Sequence, residues 1–326
     1  KALTSAADKW INLGVDGFRL DAVKHIYHNA YSSENPMFLK KFYDRCNTTF
    51  KSRGGNGDFY MVGEMLDDCD KVAPYYAGLP ALFEFSFWYK LKWALQNNTG
   101  LYFAHDIISM QSAYSQYRTD YIEATKLSNH DEDRAGSDLD NSKEKMKLAA
   151  AVLMTSQGHP YIYQGEELGY WGTKSRGDEY VRAPIIWDRS STNTATAGVN
   201  GKYDSGMLTK AMSVEAQSED NNSVLSVYRY FTKLRNAHPA LASGKMSKHP
   251  DYDENRQTDK NIAAWFIEGD GEKLLVVHNF GNTQYDAYFH EDLSQAVGLH
   301  GTASAYKTVD TWKLTLGAYS SAIFKQ

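Results

Sequence analysis

Three carboxylates stand where short apolar segments end. Asp21 closes Gly-Phe-Arg-Leu-Asp, Glu64 closes Tyr-Met-Val-Gly-Glu, and Asp131 follows Leu-Ser-Asn-His. Side chains at the carboxyl ends of parallel barrel strands face a common site. A lone acid in such a place is usually a helix cap or a solvated loop residue. Three acids at successive strand ends argue against that alternative, and they predict a shared site for nucleophilic or acid–base chemistry.

Arg19 lies two residues before Asp21 in the same predicted strand. The two-residue period of a strand places Arg19 and Asp21 on one face, and Phe18 and Leu20 on the other. A guanidinium beside a carboxylate favours the ionised form of that carboxylate, which is the form that a nucleophile needs. The pattern therefore predicts that Arg19 supports Asp21.

The composition narrows the possible functions. The chain has 326 residues, of which 42% are hydrophobic and 23% charged, as in ordinary globular proteins, so disorder is not expected. A net charge of −5 matches a phosphate backbone poorly, and we expect no nucleic-acid partner. No apolar run approaches the ~18 residues of a membrane-spanning helix. The spacing of Cys46 and Cys69 fits neither a zinc ribbon nor a redox pair, which leaves two packed thiols as the expectation.

Helical and strand patterns alternate along roughly the first 240 residues, as in βα units with a parallel sheet. Asn35-Pro36 is predicted to begin one helix, and Asn141 another. The predicted helices span 2–13, 35–50, 87–97, 103–117, 141–158 and 223–237. The predicted strands span 15–21, 59–65, 81–87, a segment that ends at Ser128, and 160–164.

The pattern changes after His238-Pro239. Segments 261–267 and 273–279 are rich in β-formers, and Glu268-Gly269-Asp270-Gly271 between them predicts a hairpin. The segment 191–201 predicts a polar loop. We expect two domains, residues 1–244 with the parallel βα units and residues 245–326 with a small antiparallel β fold.

Four segments resemble sequence regions of the α-amylase superfamily, in the order found there. They are Gly-Phe-Arg-Leu-Asp-Ala-Val-Lys-His at 17–25, Val-Gly-Glu at 62–64, Ser-Asn-His-Asp at 128–131 and Gly-His-Pro-Tyr-Ile-Tyr-Gln-Gly-Glu-Glu at 158–167. The resemblance runs through essentially the whole chain. It implies an α/β fold class: the C-terminal portion of a TIM (β/α)8 barrel, about strands 4 to 8, followed by an antiparallel β-sandwich domain.

The resemblance also implies catalytic roles. Asp21 would be the nucleophile that forms a covalent glycosyl-enzyme intermediate, Glu64 the general acid and base, and Asp131 the carboxylate that binds sugar hydroxyls and favours the oxocarbenium-like transition state. This is the retaining scheme, in which the carboxyl groups of Asp21 and Glu64 should lie about 5–5.5 Å apart.

Further residues match the family's sugar contacts. The resemblance implies substrate binding by Arg19, Lys24, His25, His130, Asp178 and Arg182. On the residues alone, a pair such as Lys24 and His25 is more often a solvated helix start, and an Asp and Arg four residues apart, such as Asp178 and Arg182, are more often a surface ion pair. Tyr170 and Trp171 could stack on glucose or pack in the core. The resemblance further implies structural calcium, to which the backbone carbonyl of His25 would be one ligand, with most other ligands upstream of residue 1.

The segment Ala22-Val23-Lys24-His25 resembles the α-1,4-acting group of the family. It implies an endo-α-1,4-glucanohydrolase that cleaves internal bonds of starch and maltooligosaccharides. Cyclomaltodextrinase, neopullulanase or transglycosylase activity is the alternative. A rival of another class is a non-catalytic amylase-like glucan-binding or transporter-associated protein; such relatives typically lack one of the three carboxylates.

The family's first three barrel strands have no counterpart in this sequence. We therefore expect a partner segment, the upstream barrel portion of the same protein with strands 1 to 3 and the domain after strand 3. The resemblance implies an extracellular or outer-membrane location with a lipid anchor outside this sequence. It also implies other surface glucan-binding proteins as partners.

Overall fold

The computed structural model describes residues 2–190, 210–253, 255 and 259–326. The predicted polar loop at 191–201 lies outside the described residues. Two compact units are present. The first comprises the residues up to Ser86 together with Ser109–Thr125, and the second comprises Phe87–Ile108 together with the chain from Lys126 onward. The predicted division into residues 1–244 and 245–326 stays a prediction.

The βα portion contains six longer helices and four parallel strands within the described residues. The helices are α1 (Ala2–Asn12), α2 (Glu34–Ser52), α3 (Phe85–Gln96), α4 (Phe103–Ser115), α5 (Lys143–Thr155) and α6 (Val224–Ala237). The strands are β1 (Gly17–Leu20), β2 (Tyr60–Gly63), β3 (Ala81–Glu84) and β4 (Ile122–Thr125). Short helices lie at Val23–His25, Cys69–Val72, Ala73–Ala77, Ala135–Asp138, Glu166–Leu168, Lys174–Arg176, Asp178–Val181, Lys210–Met212, Val214–Glu219 and Pro239–Ser243.

The first unit contains the parallel sheet, in the strand order β1-β2-β3-β4. Gly17 of β1 pairs with Tyr60 of β2, and Leu20 pairs with Gly63, so the two strands end side by side. A Cβ atom added to Gly17 would lie 2.6 Å from the carbonyl oxygen of Tyr60, which explains the glycine at the start of β1. Because these strands are parallel and in register, the residues that follow Leu20 and Gly63 emerge at one edge of the sheet.

Two predicted helix starts are wrong. Helix α2 begins at Glu34, because the buried Asn35 side chain serves the preceding loop: its Oδ1 accepts from the Tyr27 N–H at 2.9 Å, and its Nδ2 donates to the Lys24 carbonyl at 3.0 Å. Helix α5 begins at Lys143, where Ser142 is the N-cap and accepts from the backbone N–H of Lys145. The left-handed conformation of Asn141, with φ of 57°, places it outside the helix.

The predicted strand at 160–164 is also not formed as a full strand. In the second unit, Tyr161 makes only an isolated parallel bridge to Lys126. Pro160 has no N–H to give to a ladder, which limits pairing at this point. Helix α5 is buried along Met146–Thr155 and packs against α6.

The second unit ends in two antiparallel sheets. The strands are β5 (Lys245–Lys248), β6 (Ile262–Gly269), β7 (Glu272–Asn279), β8 (Tyr285–Phe289), β9 (Ala296–His300), β10 (Ala303–Lys307), β11 (Trp312–Leu316) and β12 (Ser321–Lys325). One sheet has the order β5-β6-β7-β12-β9 and the other β10-β11-β8. Phe266, Val277, Phe289 and Leu314 are buried between them in one apolar core, so the two sheets form a sandwich.

The predicted hairpin joins β6 to β7 through Asp270-Gly271. Both residues have positive φ, 51° and 77°, as a two-residue hairpin turn requires. The predicted fold class, parallel βα units followed by an antiparallel β-sandwich, is confirmed. Cys46 is buried and Cys69 half-buried, and both are free thiols, as predicted. No helix among the described residues has the length and apolar character needed to cross a membrane.

Candidate active site

Asp21 and Glu64 share one guanidinium in the first unit. Each residue directly follows its strand, Asp21 after β1 and Glu64 after β2. Arg19 donates from Nη1 to Asp21 and from Nη2 to Glu64 Oε2, the latter at 2.6 Å. The Asp21 side chain is 77% exposed and that of Glu64 only 16%. The sequence predicted the contact of Arg19 with Asp21, but not the one with Glu64, which depends on the register of β1 and β2.

The backbone around Asp21 is held against the strand end of Glu64. Glu64 donates its N–H to the Leu20 carbonyl at 2.9 Å, and its own carbonyl accepts from the Val23 N–H at 3.0 Å. Ala22 has a left-handed conformation, with φ of 41° and ψ of 51°, and its N–H faces Glu64 Oε2 at 3.5 Å. Such a conformation costs a non-glycine residue about 1 kcal/mol. Strain of this kind is typical of functional sites. The sequence did not predict it, because alanine rarely adopts a left-handed conformation.

Lys24 is bound within the protein and His25 is exposed. The Lys24 ammonium donates to the Leu66 carbonyl at 2.6 Å and to Asp67 Oδ2 at 3.1 Å. Burial acts to raise the pKa of Asp67, but the hydrogen bonds from Lys24, a backbone N–H and Tyr31 outweigh it, so that this pKa is lowered. Lys24 therefore fixes the loop that follows Glu64, and His25 lies beside it with its ring accessible.

A second cluster of charges lies in the second unit. Asp131 Oδ1 accepts from Arg182 Nη2 at 2.8 Å and from Lys174 Nζ at 3.1 Å, and its Oδ2 lies 2.9 Å from His130 Nε2. Asp178 binds the same two cations, at 2.6 Å from Lys174 and 2.7 Å from Arg182. Arg182 Nε also donates to the His130 carbonyl at 3.0 Å. The predicted residues His130, Asp131, Asp178 and Arg182 thus lie together.

Lys174 is the member of this cluster that sequence reasoning missed. Its four-residue spacing from Asp178 was the available signal, although Gly177, with φ of 126°, separates the two short helices that carry them. Burial acts to raise the pKa of Asp131, but the Lys174 hydrogen bond and the nearby His130 outweigh it, and the pKa is lowered. The pKa of Asp178 is lowered mainly by its hydrogen bond from Lys174. Both carboxylates are therefore held ionised by the cations that bridge them.

Of the two predicted aromatic candidates, Tyr170 is a core residue. It is buried, and its hydroxyl accepts from the Ile186 N–H at 2.8 Å. Trp171 is partly buried against the same apolar cluster of the second unit. Tyr170 therefore has no exposed ring face on which a sugar could stack.

The described residues give little support to a metal site. No group of three or more His, Cys, Asp and Glu side chains among them could hold a metal ion. Calcium takes six to eight oxygen ligands, of which the His25 carbonyl would be one. The residues around His25 do not fit a calcium site by themselves.

Comparisons with known proteins agree over the whole chain. A family model described as the α-amylase catalytic domain matches residues 1–244, and one described as the α-amylase SusG C-terminal domain matches residues 262–323. The chain is 53% identical over all of its 326 residues to α-amylase SusG of Bacteroides thetaiotaomicron, of which it covers 46%. It is 31% identical to α-amylase 3 of Dictyoglomus thermophilum, over 97% of this chain and 59% of that protein.

Solved structures give the same picture. The α-amylase from H. orenii superposes on the entire chain with a TM-score of 0.85 and 26% identity, and 64% of that protein is covered. Eubacterium rectale Amy13B also superposes on the entire chain, with a TM-score of 0.80, 25% identity and 62% of that protein covered. The chain spans about half the length of the curated relatives that it matches.

Proposed function

Because this chain belongs to the α-amylase family, we propose that it carries the catalytic carboxylates of a retaining endo-hydrolase of α-1,4-glucans. The observation that carries the proposal is the shared guanidinium: Arg19 binds Asp21 and Glu64 at the same time. Two carboxylates within reach of one guanidinium suit a retaining mechanism, because an inverting pair needs about 6.5–9.5 Å to admit a water molecule. The substrates proposed are starch and maltooligosaccharides.

In this mechanism Asp21 is the nucleophile. Its exposed carboxylate attacks the anomeric carbon and forms an ester with the sugar, while the bond to the leaving glycosidic oxygen breaks. Glu64 gives its proton to that oxygen. Glu64 then removes a proton from water, which attacks the anomeric carbon, breaks the ester and frees Asp21. The shielded position of Glu64 and the accessible one of Asp21 are consistent with these two roles.

The charge cluster of the second unit supplies the sugar contacts in this proposal. Asp131 would accept hydrogen bonds from sugar hydroxyls, and His130 would donate to one. Asp178 and Arg182 would bind the sugar on the non-reducing side, and Lys24 and His25 the one on the leaving side. The ion pairs of Asp131 and Asp178 with Lys174 and Arg182 support these roles, because they keep charged hydrogen-bonding groups fixed at an exposed surface.

We also propose a partner for the edge of the parallel sheet. Among the described residues β1 pairs with β2 alone, α1 exposes Leu3 and Trp10, and Leu13 directly after α1 is exposed as well. An open parallel edge beside apolar side chains suits another βα segment. The upstream barrel portion of the same protein is the proposed occupant. Three points stay predictions from the resemblance. They are structural calcium with the His25 carbonyl as a ligand, other surface glucan-binding proteins as partners, and a lipid-anchored location at the outer surface.

The test replaces the two carboxylates by their amides in the active enzyme. We expect Asp21→Asn and Glu64→Gln each to lower the rate of reducing-sugar release from starch by about 10²–10⁴-fold. Asp58→Asn is the matched control, because Asp58 is an exposed carboxylate of the first unit with an ion pair to Lys51. NMR of the first products should show the α-anomer. Unchanged sugar release by both amide variants would refute the assignment of these two carboxylates, and no sugar release by the wild type would favour a glucan-binding role.

Product analysis separates the remaining alternatives. Mixed maltooligosaccharides from starch are expected of an endo-acting hydrolase. Preferential cleavage of cyclodextrin or pullulan would indicate a cyclomaltodextrinase or neopullulanase. Products longer than the maltooligosaccharide supplied would indicate transglycosylation.

A further inference from the structure

The segment that carries His130 and Asp131 is anchored at both of its ends on a neighbouring stretch of the second unit. At its start, the Ser128 hydroxyl donates to Glu166 Oε2 at 3.0 Å. At its end, Arg134 Nη1 donates to the Gln164 carbonyl at 2.8 Å. Two contacts with residues 164–166 therefore anchor the segment that carries Asp131, in addition to the ion pairs of Asp131 with Lys174 and Arg182.

Glu166 is a buried acid that the proposed mechanism does not use. It is only 6% exposed, and its second oxygen, Oε1, accepts from the Tyr228 hydroxyl of α6 at 2.6 Å. Two hydroxyl donors on the two carboxylate oxygens fit the ionised acid, which can only accept. Glu166 has two hydroxyl donors and, within the part of the chain that the structure describes, no directly bonded cation. A buried carboxylate of this kind is costly to form, which suggests that it has a functional role.

The charged and titratable neighbours of Glu166 are few. Arg134 is 1% exposed, with its guanidinium 4.6 Å from the centre of the Tyr163 ring, and it contributes a positive charge. Glu167 contributes a negative charge, and Tyr228 is the titratable group on α6. Helix α5 presents only Met146 and Ala149 to the small space beside Glu166. Burial raises the pKa of Glu166 to about 7, against the hydrogen bonds from Tyr228 and Ser128.

We propose that Glu166 is a positioning residue: in its ionised form it holds Ser128, and through Ser128 the strand-end segment that carries His130 and Asp131. This inference rests on the proposed function, because it assigns Glu166 to the same site. A protonated Glu166 has one oxygen that donates, so that it no longer accepts from both hydroxyls at once. As the pH falls through about 7, the hydrogen bond to Ser128 weakens, and the segment that carries His130 and Asp131 becomes more mobile.

The first experiment compares pH–rate profiles of the active enzyme on a maltooligosaccharide. We expect Glu166→Gln to lower kcat about tenfold at pH 8, with KM changed less than threefold, and to abolish the ionisation near pH 7. Glu167→Gln is the matched control: it removes the neighbouring carboxylate, which is not bonded to Ser128, and should retain that ionisation. Tyr228→Phe removes one donor from the ionised acid and should move the ionisation to higher pH, because the charged form is then less favoured.

The second experiment measures the segment directly and does not depend on activity. Amide hydrogen exchange of residues 129–132 at pH 8 should be about tenfold faster in Glu166→Gln and in Ser128→Ala than in the wild type and in Glu167→Gln. Ser128→Ala tests the same link if Glu166→Gln does not fold. If the wild type did not hydrolyse glucan but the variants showed this exchange pattern, the proposed function would be refuted and the positioning role of Glu166 would be supported. The inference would be overturned if amide exchange were unchanged in Ser128→Ala or in a folded Glu166→Gln. It would also be overturned if Glu166→Gln kept the ionisation near pH 7.

Discussion

Replacement of Arg19 tests whether one guanidinium organises the two carboxylates. Its Nη1 is bonded to Asp21 and its Nη2 to Glu64. Hydrogen bonds to charged groups contribute about 1.5–3 kcal/mol when they are shielded, whereas exposed ion pairs contribute about 0–1 kcal/mol. Because Glu64 is shielded and Asp21 exposed, we assign about 2 kcal/mol to the first bond and about 0.5 kcal/mol to the second.

We equate the loss of kcat/KM with these contributions, on the premise that the transition state requires both acids in the geometry that Arg19 holds. A loss of about 2.5 kcal/mol corresponds to roughly 70-fold, because each 1.36 kcal/mol is a factor of ten. Arg19→Ala should therefore lower kcat/KM by roughly 30- to 150-fold. Arg19→Lys keeps the charge but loses the planar fork that reaches both acids, and a reduction of about tenfold is expected.

The assay is initial-rate hydrolysis of a chromogenic maltooligosaccharide, with thermal unfolding measured on the same samples. Arg45→Ala is the matched control, because Arg45 makes an ion pair with Asp8 on the surface of the same unit. Its kcat/KM should stay within about twofold of the wild type. Wild-type kcat/KM in Arg19→Lys together with a change below about threefold in Arg19→Ala would refute the reasoning, since neither bond would then matter to the transition state.

Two further predictions concern pH. Lys174→Met removes the bonded ammonium that helps to lower the pKa of Asp131. This pKa should therefore rise, and the acid limb of the pH–rate profile should move to higher pH. An unmoved acid limb would contradict the assigned role of Lys174. Burial lowers the pKa of His278 to about 3 in the folded state, from an ordinary value of 6.5, so its contribution to stability is complete above pH 6.5 and is lost as the pH falls below it. Between pH 5.5 and 4, the free energy of unfolding should fall about 1.3 kcal/mol less per pH unit in His278→Gln than in the wild type, as measured by urea unfolding. Equal slopes would contradict the burial argument.

The positions of the catalytic candidates could be predicted from sequence because they depend on local rules. A parallel strand exposes its carboxyl end, and its two-residue period fixes which neighbours share a face. Asp21, Glu64 and Arg19 follow from these two rules alone. The β-sandwich followed in the same way, from alternating patterns and a Gly-Asp-Gly turn whose positive φ angles the structure shows at Asp270 and Gly271.

What the sequence did not reveal depends on contacts between distant residues. Lys174 reaches Asp131 across 43 positions, and Glu166 reaches Ser128 across 38, which no local pattern encodes. Asn35 looked like a helix cap because Asn-Pro is a common start, yet its amide is used by the backbone of Tyr27 and Lys24. Tertiary contacts of this kind compete with capping for the same side chain, and here they prevail.

The two charge clusters differ in a way that matters for the proposed chemistry. With Glu64 protonated for its role as the acid, Asp21 shares one guanidinium and is 77% exposed, whereas Asp131 and Asp178 are each bonded to both Lys174 and Arg182. A neutral glucan gains positive charge at the anomeric carbon only in the transition state. The exposed negative charge of Asp21 at the reacting carbon therefore favours the transition state over the bound substrate, which is what raises kcat. Asp178 and Arg182 of the balanced cluster can bind hydroxyls equally in both states, so their removal should raise KM more than it lowers kcat.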